Sequence, residues 1–348
     1  MTEIDGQARR RWATIGQVPW RWILGTALSV VCLALTLRGV DLGRVWEALG
    51  AVNPLFLILA LGTVALTVLT KAVRWQVFFR LRSRQPRFMQ LFMVLVVGQM
   101  FNIAIPGRVG DLARAYLIGD ITDQSVAFAL GTVALEKMMD LVMSVLLFVT
   151  LLPFVVFPVW LQSWGVTTAL APVGLFGFTM LVAYQQRRAL RLLAGLVRLL
   201  PPFLRPGVLQ QMEQALDSLE ALRNPRAQLQ LWMLSAVGWG MAAMTNYLLF
   251  LALALSLSYT AALFLLLVIQ LGVAVPSSPG KVGVFQYLCL LALGVFGVER
   301  DLAFTYSFLL YAVALLPLVL CGALFLGWGN IGMRRLSQQI AKAAGSGR

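Results

Sequence analysis

The sequence predicts an all-α polytopic membrane protein with about six full transmembrane helices and two oppositely oriented re-entrant helical hairpins. Three observations carry this. Of 348 residues, 60% are hydrophobic and only 12% charged, where a soluble domain carries about a quarter charged residues. Apolar runs of about 20 residues, the length that crosses a ~30 Å hydrocarbon core, recur along the whole chain. The net charge of +14 is clustered: of 28 Lys and Arg, 4 fall in 1–21, 6 in 71–87, 7 in 185–230 and 4 in 330–348. The positive-inside rule makes those four segments cytoplasmic.

The elements follow in order. A first span over 22–38 comes after Arg9, Arg10, Arg11 and Arg21 with no small-residue cleavage site, so it reads as retained. An outer loop with Asp41, Arg44 and Glu47 leads to a second span over 53–70 and then to the basic segment Lys71–Arg87. A third apolar run, 88–105, stops at Pro106 and gives way to GRVGDLARAYLIGD (107–120). A long helix over 122–150 and a span over 166–184 precede a cytoplasmic, amphipathic segment at 185–228. Its leucines, interleaved with Arg188, Arg191 and Arg198, suit the membrane interface. Spans over 229–256 and 303–329 bracket the run 260–298, which VPSSPGKVG interrupts. One membrane domain, 22–329, thus lies between a cytoplasmic N-terminal segment, 1–21, and a cytoplasmic tail, 330–348. The expected location is the cell inner membrane. Tryptophans near span ends, Trp20, Trp22, Trp75, Trp160 and Trp164, read as interfacial anchors.

Parity requires the hairpins. If 88–105 crossed alone, the next two spans would put the seven basic residues of 185–230 outside. The chain must therefore return at 107–120, and by the same logic 260–298 enters and leaves from the opposite face. Pro106-Gly107-Arg108-Val109-Gly110 matches Pro279-Gly280-Lys281-Val282-Gly283, 173 residues later. A motif repeated in two opposed hairpins is the mark of an inverted repeat, a known plan for transporters.

Each tip has a proline that ends the incoming helix and glycines that permit unusual backbone. The outgoing half-helix then offers free N–H groups, a positive dipole end and a basic side chain. That combination suits an anion such as a phosphate. The candidate headgroup residues are Gly107, Arg108, Gly110, Arg114, Ser277, Ser278, Gly280 and Lys281. Against this stands the plainer reading, that Pro-Gly turns the chain and the basic residue snorkels to headgroups. Arg114 needs a partner at depth, and the best candidates are Glu136 and Asp140, four apart on one face of the next helix. Asp111, Glu136, Lys137 and Asp140 form either a structural ion-pair network or a coupling relay. Asp111 alternatively caps its half-helix.

Several classes recede. Position explains the basic charge better than nucleic acid does. The chain has no histidine, and Cys32, Cys289 and Cys321 sit singly in apolar runs; no metal, cofactor or catalytic constellation is expected. The stretches NIAIPGRVGDLARAYLI (102–118), VALEKMMDL (133–141) and VAVPSSPGKVGVFQ (273–286) resemble the flippase-like family, the transmembrane region of lysylphosphatidylglycerol synthases. Lys281 stands where that family often has a second glycine, and Gln286 where it often has an acid. The resemblance implies a lipid flippase or transporter, not an enzyme, acting on an anionic phospholipid or polyprenyl-phosphate-linked lipid. The synthases' separate aminoacyl-transferring domain has no room before Arg348. Two alternatives remain: an intramembrane enzyme using Glu136 or Asp140 as base, and a non-transporting membrane partner of a lipid-modifying enzyme.

Overall fold

The computed structural model describes residues 20–80, 85–105, 109–122, 124–155, 159–197, 205–272 and 278–328, and among them there is no strand. The N-terminal segment, the tail, Gly107, Arg108 and Ser277 lie outside the described residues. The helices in order are α1 (Trp20–Leu37), α2 (Leu42–Gly50), α3 (Pro54–Phe79), α4 (Phe88–Ala104), α5 (Val109–Thr122), α6 (Val126–Leu151) and α7 (Val159–Tyr184). They continue as α8 (Gln186–Val197), α9 (Arg205–Asp217), α10 (Glu220–Arg223), α11 (Pro225–Ala252), α12 (Tyr259–Gly272), α13 (Val284–Gly294) and α14 (Arg300–Trp328). A 3₁₀ turn at Pro279–Lys281 separates α12 from α13.

Among the described residues, α3, α11 and α14 are long and apolar enough to cross a membrane on length and composition alone. The outer loop after α1 is in fact the helix α2, bent 82° from α1, and the pair together makes a fourth candidate span. α6 has the length for a fifth, 26 residues, and carries Glu136, Lys137 and Asp140. α4, α5, α12 and α13 run 17, 14, 14 and 11 residues. At ~1.5 Å per residue each is shorter than a ~30 Å core, as re-entrant arms must be.

The 173-residue offset organises the whole bundle. Shifted by 173, residues 54–79 of α3 become 227–252, and α11 occupies Pro225–Ala252. The same shift carries α4 to 261–277, beside α12; α5 to 282–295, beside α13; and α6 to 299–324, beside α14. The contacts obey the same exchange. α3 packs on α4 as α11 packs on α12, and α5 on α6 as α13 on α14; across the halves, α4 packs on α14 as α12 packs on α6. Each half also has its own apolar core, one around α4–α5 and one around α12–α13.

The two equivalent long helices, α3 and α11, lie against one another, and hydrogen bonds give their direction. The Asn53 N–H donates to the Ala252 carbonyl at 2.9 Å, and the Thr63 and Thr245 hydroxyls are 2.9 Å apart. Further along, Arg74 donates to Ser235 Oγ at 2.9 Å and Arg80 to Gln230 Oε1 at 2.9 Å. Numbers rise on one helix as they fall on the other, so the pair is antiparallel. With α6 and α7 between them, α3 and α11 would run parallel had α4 crossed alone. Their antiparallel course shows that α4 and α5 form a hairpin and that the two halves are inverted copies.

Local chemistry starts both long helices alike. Asn53 and Asn224 each precede a proline; Asn53 Oδ1 accepts from the Leu55 N–H at 3.0 Å and Asn224 Oδ1 from the Arg226 N–H at 3.0 Å. A side-chain acceptor at the cap and proline in the first turn are the usual opening of a helix. The linker 205–223 docks on the bundle: α9 packs on α6 and α10 on α11, with Leu219, Ala221 and Leu222 buried.

Candidate functional site

α3 is more than two turns longer than the predicted span of 53–70, and the extension changes what its residues do. Lys71, Arg74 and Trp75 do not lie in a loop after the span. They sit on a helix that continues to Phe79, with Arg74 and Trp75 only 3% and 0% exposed. The continuous apolar run Val77–Phe79, buried beneath α4 and α6, keeps the helix going past its charges.

Arg74 and Arg114 share Glu136. Arg114 Nη2 donates to Glu136 Oε2 at 2.5 Å, and Arg74 Nη2 lies 3.2 Å from Glu136 Oε1. Arg74 Nη1 also donates to Asp140 Oδ1 at 2.7 Å. The pairing of Arg114 with Glu136 is the expected one, whereas Arg74 takes Asp140. The Arg114 guanidinium carbon stands over the Trp75 ring, 4.5 Å from its centroid. The cation–π contact favours the charge there, while Nε and Nη1 have no hydrogen-bond partner among the described residues. Trp75 Nε1 in turn donates to Thr132 Oγ1 at 3.0 Å, so this tryptophan is a wall of the network and not an interfacial anchor. Asp111 accepts from Asn102 Nδ2 at 3.1 Å and lies 3.8 Å from Lys137 Nζ. All four predicted network residues are therefore engaged in ion pairs between α3, α5 and α6, in two groups: Arg74 and Arg114 with Glu136 and Asp140, and Lys137 with Asp111.

Gly110 joins the two arms of the first hairpin. A Cβ there would stand 1.9 Å from the Gly98 carbonyl oxygen and 2.7 Å from the Asn102 nitrogen. Its role in the structure is close approach of α5 to α4.

The second tip is pinned from both sides. The Ser278 N–H donates to Ser29 Oγ of α1 at 2.9 Å, and Tyr311 Oη of α14 donates to the Gly280 carbonyl at 2.9 Å. Gly280, Lys281 and Gly283 all have positive φ, at 67°, 59° and 87°. A lysine is an unusual occupant of such a conformation, which costs an L-residue ~1–2 kcal/mol. A glycine at position 281 would carry no such cost.

The tip faces a cavity of about 300 Å³. Lys71 and Lys281 both line it, with Gln99, Asn102, Asn246 and Gln270; Asn102 Nδ2 is engaged with Asp111 and Asn246 Nδ2 with the Ala262 carbonyl. Its walls come from α3, α4, α11, α12 and α14, that is, from both inverted halves. Thr67, Lys71 and Gln270 also line an adjoining crevice that ends at Arg74 and Asp140. The cavity thus joins a predicted headgroup cation, Lys281, to a cation that the sequence assigned elsewhere, Lys71. Gly280 lines it too; Arg114, fully buried in the network, does not.

Two inverted units, each of long helix, hairpin and long helix, closed around a cavity that both halves line, define a polytopic membrane protein. The chain belongs to the family described as the lysylphosphatidylglycerol synthase TM region, which matches residues 22–322. It is similar to a UPF0104 membrane protein of Methanocaldococcus jannaschii, at 28% identity over 232 residues, 64% of this chain and 91% of that protein. A UPF0104 membrane protein of Methanothermobacter thermautotrophicus is 25% identical over 148 residues, 42% of this chain and 44% of that one.

Proposed function

We propose that this protein moves an anionic phospholipid or polyprenyl-phosphate-linked lipid between leaflets without altering it chemically. The observation that supports the reading most is the cavity: Lys71 and Lys281, one from each inverted half, line one space walled by both. Phosphate oxygens are the natural partners of two ammonium groups. A volume of about 300 Å³ lies at the lower end of ligand pockets, ~300–1,000 Å³, which suits a headgroup and leaves the tails in lipid. The opposed hairpins supply two elements that can open in turn to the two leaflets, and the ion-paired layer holds the first of them against α3 and α6. The protein sits in the inner membrane with both termini cytoplasmic and works alongside enzymes that make or modify the lipid.

The test is reconstitution into liposomes containing fluorescent phosphatidylglycerol, with redistribution read by chemical quenching of the outer leaflet. Protein-dependent redistribution is expected, and Lys281→Gln and Arg108→Ala should abolish it. Full rates in both variants, or none from the folded native protein, would refute the reading. A lipid whose mass changed during incubation would point instead to an enzyme.

A further inference from the structure

We infer that the cavity selects phosphate headgroups that lack an ammonium group, and that Lys71 sets this selectivity. The inference rests on the cavity being the headgroup site and names the chemistry it accepts. Among the described residues the lining holds two lysines, carboxamides, the Thr67 and Thr245 hydroxyls and apolar side chains, with no carboxylate. Its one aromatic residue is Phe285. A choline, ethanolamine or aminoacyl headgroup brings a cation, which needs a carboxylate or an aromatic cage to leave water. Neither is present.

The nearby carboxylates are already engaged. Glu136 is held by Arg74 and Arg114, Asp140 by Arg74, and Asp111 by Lys137. Only Asp140 reaches the adjoining crevice, where Lys71 and Arg74 stand beside it. A cationic headgroup would therefore meet like charge from either direction. Lys71 is placed to decide because it lines both spaces, and among the described residues it makes no ion pair of its own. A lysine so placed inside a membrane domain marks a site where a ligand anion completes the charge balance. It also comes from the first half of the repeat while Lys281 comes from the second, so one phosphate meets both halves.

The experiment is competition binding to the purified full chain in non-ionic detergent. The probes are short-chain phosphatidylglycerol, phosphatidic acid, phosphatidylcholine, lysyl-phosphatidylglycerol and inorganic phosphate. The two anionic lipids should bind at least tenfold tighter than the two ammonium lipids. Lys71→Gln should weaken the anionic lipids roughly tenfold to hundredfold, the usual effect of losing a charged hydrogen-bond donor, whereas Lys71→Arg should preserve the preference. Equal binding of the ammonium lipids overturns the inference and leaves lipid transport standing. An unchanged preference in a well-folded Lys71→Gln protein overturns the role of Lys71. Inorganic phosphate binding as tightly as phosphatidylglycerol, or no lipid binding at all, overturns the headgroup site itself and with it the transport reading.

Discussion

Replacing Glu136 by glutamine should destabilise this protein by ~3–5 kcal/mol, the range for removing one member of a buried ion pair. Glu136 is 2% exposed and neutralises two guanidinium groups, on Arg74 and on Arg114. They do not suffer equally. Arg74 retains Asp140 and Ser235. Among the described residues Arg114 retains only the Trp75 ring, and its Nε and Nη1 already lack partners there. Most of the loss therefore falls on Arg114, as an uncompensated charge. Asp140→Asn should be milder, ~1–2 kcal/mol, because the Asp140 side chain is 24% exposed and Arg74 still has Glu136. Removing both partners, in Arg114→Met with Glu136→Met, should be less harmful than Glu136→Gln alone, since no buried charge is then orphaned at that end. Unfolding in mixed micelles titrated with sodium dodecyl sulfate, followed by tryptophan fluorescence, measures all three. A loss below ~1 kcal/mol for Glu136→Gln, or a double variant worse than the single one, would refute this account of the layer.

Two further substitutions read the hairpins. Gly110→Ala puts a methyl 1.9 Å from a backbone carbonyl of α4, so the arms must separate; a loss of at least ~1–3 kcal/mol is expected in the same unfolding assay, and a neutral result would mean that the arms are not in this contact. At the second tip, Lys281→Gly and Lys281→Ala both remove the charge, but only glycine relieves the positive φ of 59°. The glycine variant should be the more stable by ~1 kcal/mol, and both should bind the anionic lipid more weakly; equal stability would mean that the tip is not held in this conformation.

Much of the fold was legible because its signals are local and repeated. Apolar length marked the long helices, and the parity of the basic segments required the first hairpin, which the antiparallel α3–α11 pair bears out. The PG-basic-VG match supplied the offset that now maps four helices onto four. A second match went unread: Asn53-Pro54 and Asn224-Pro225 open the two equivalent helices at nearly the same spacing. The 82° turn from α1 into α2 was not legible, since the segment after Leu37 reads as a polar loop until its helix is seen to lie across α1.

The site divided along a physical line. Arg114 and Glu136 were found because a charge inside an obviously apolar or broken segment demands a partner, and the nearest helix offered one. Lys71 and Arg74 were missed because the same charges, placed at the end of an apolar run, satisfy the positive-inside rule. That rule counts basic residues by position along the chain and is blind to depth. A helix of 26 residues spans ~39 Å, some 9 Å more than the hydrocarbon core. Its last turns can therefore lie at the headgroups or inside the protein. The deciding signal lies just beyond the charges: Trp75 and Val77–Phe79 are apolar and aromatic, and a helix about to leave the membrane has little reason to present them. Here they are buried under α4 and α6. The inverted repeat sharpens the point, because shifting Arg74, Arg114, Glu136 and Asp140 by 173 lands on Tyr247, Tyr287, Leu309 and Val313. The ion-paired layer belongs to the first half alone, and where the halves meet, each contributes one lysine to the same cavity.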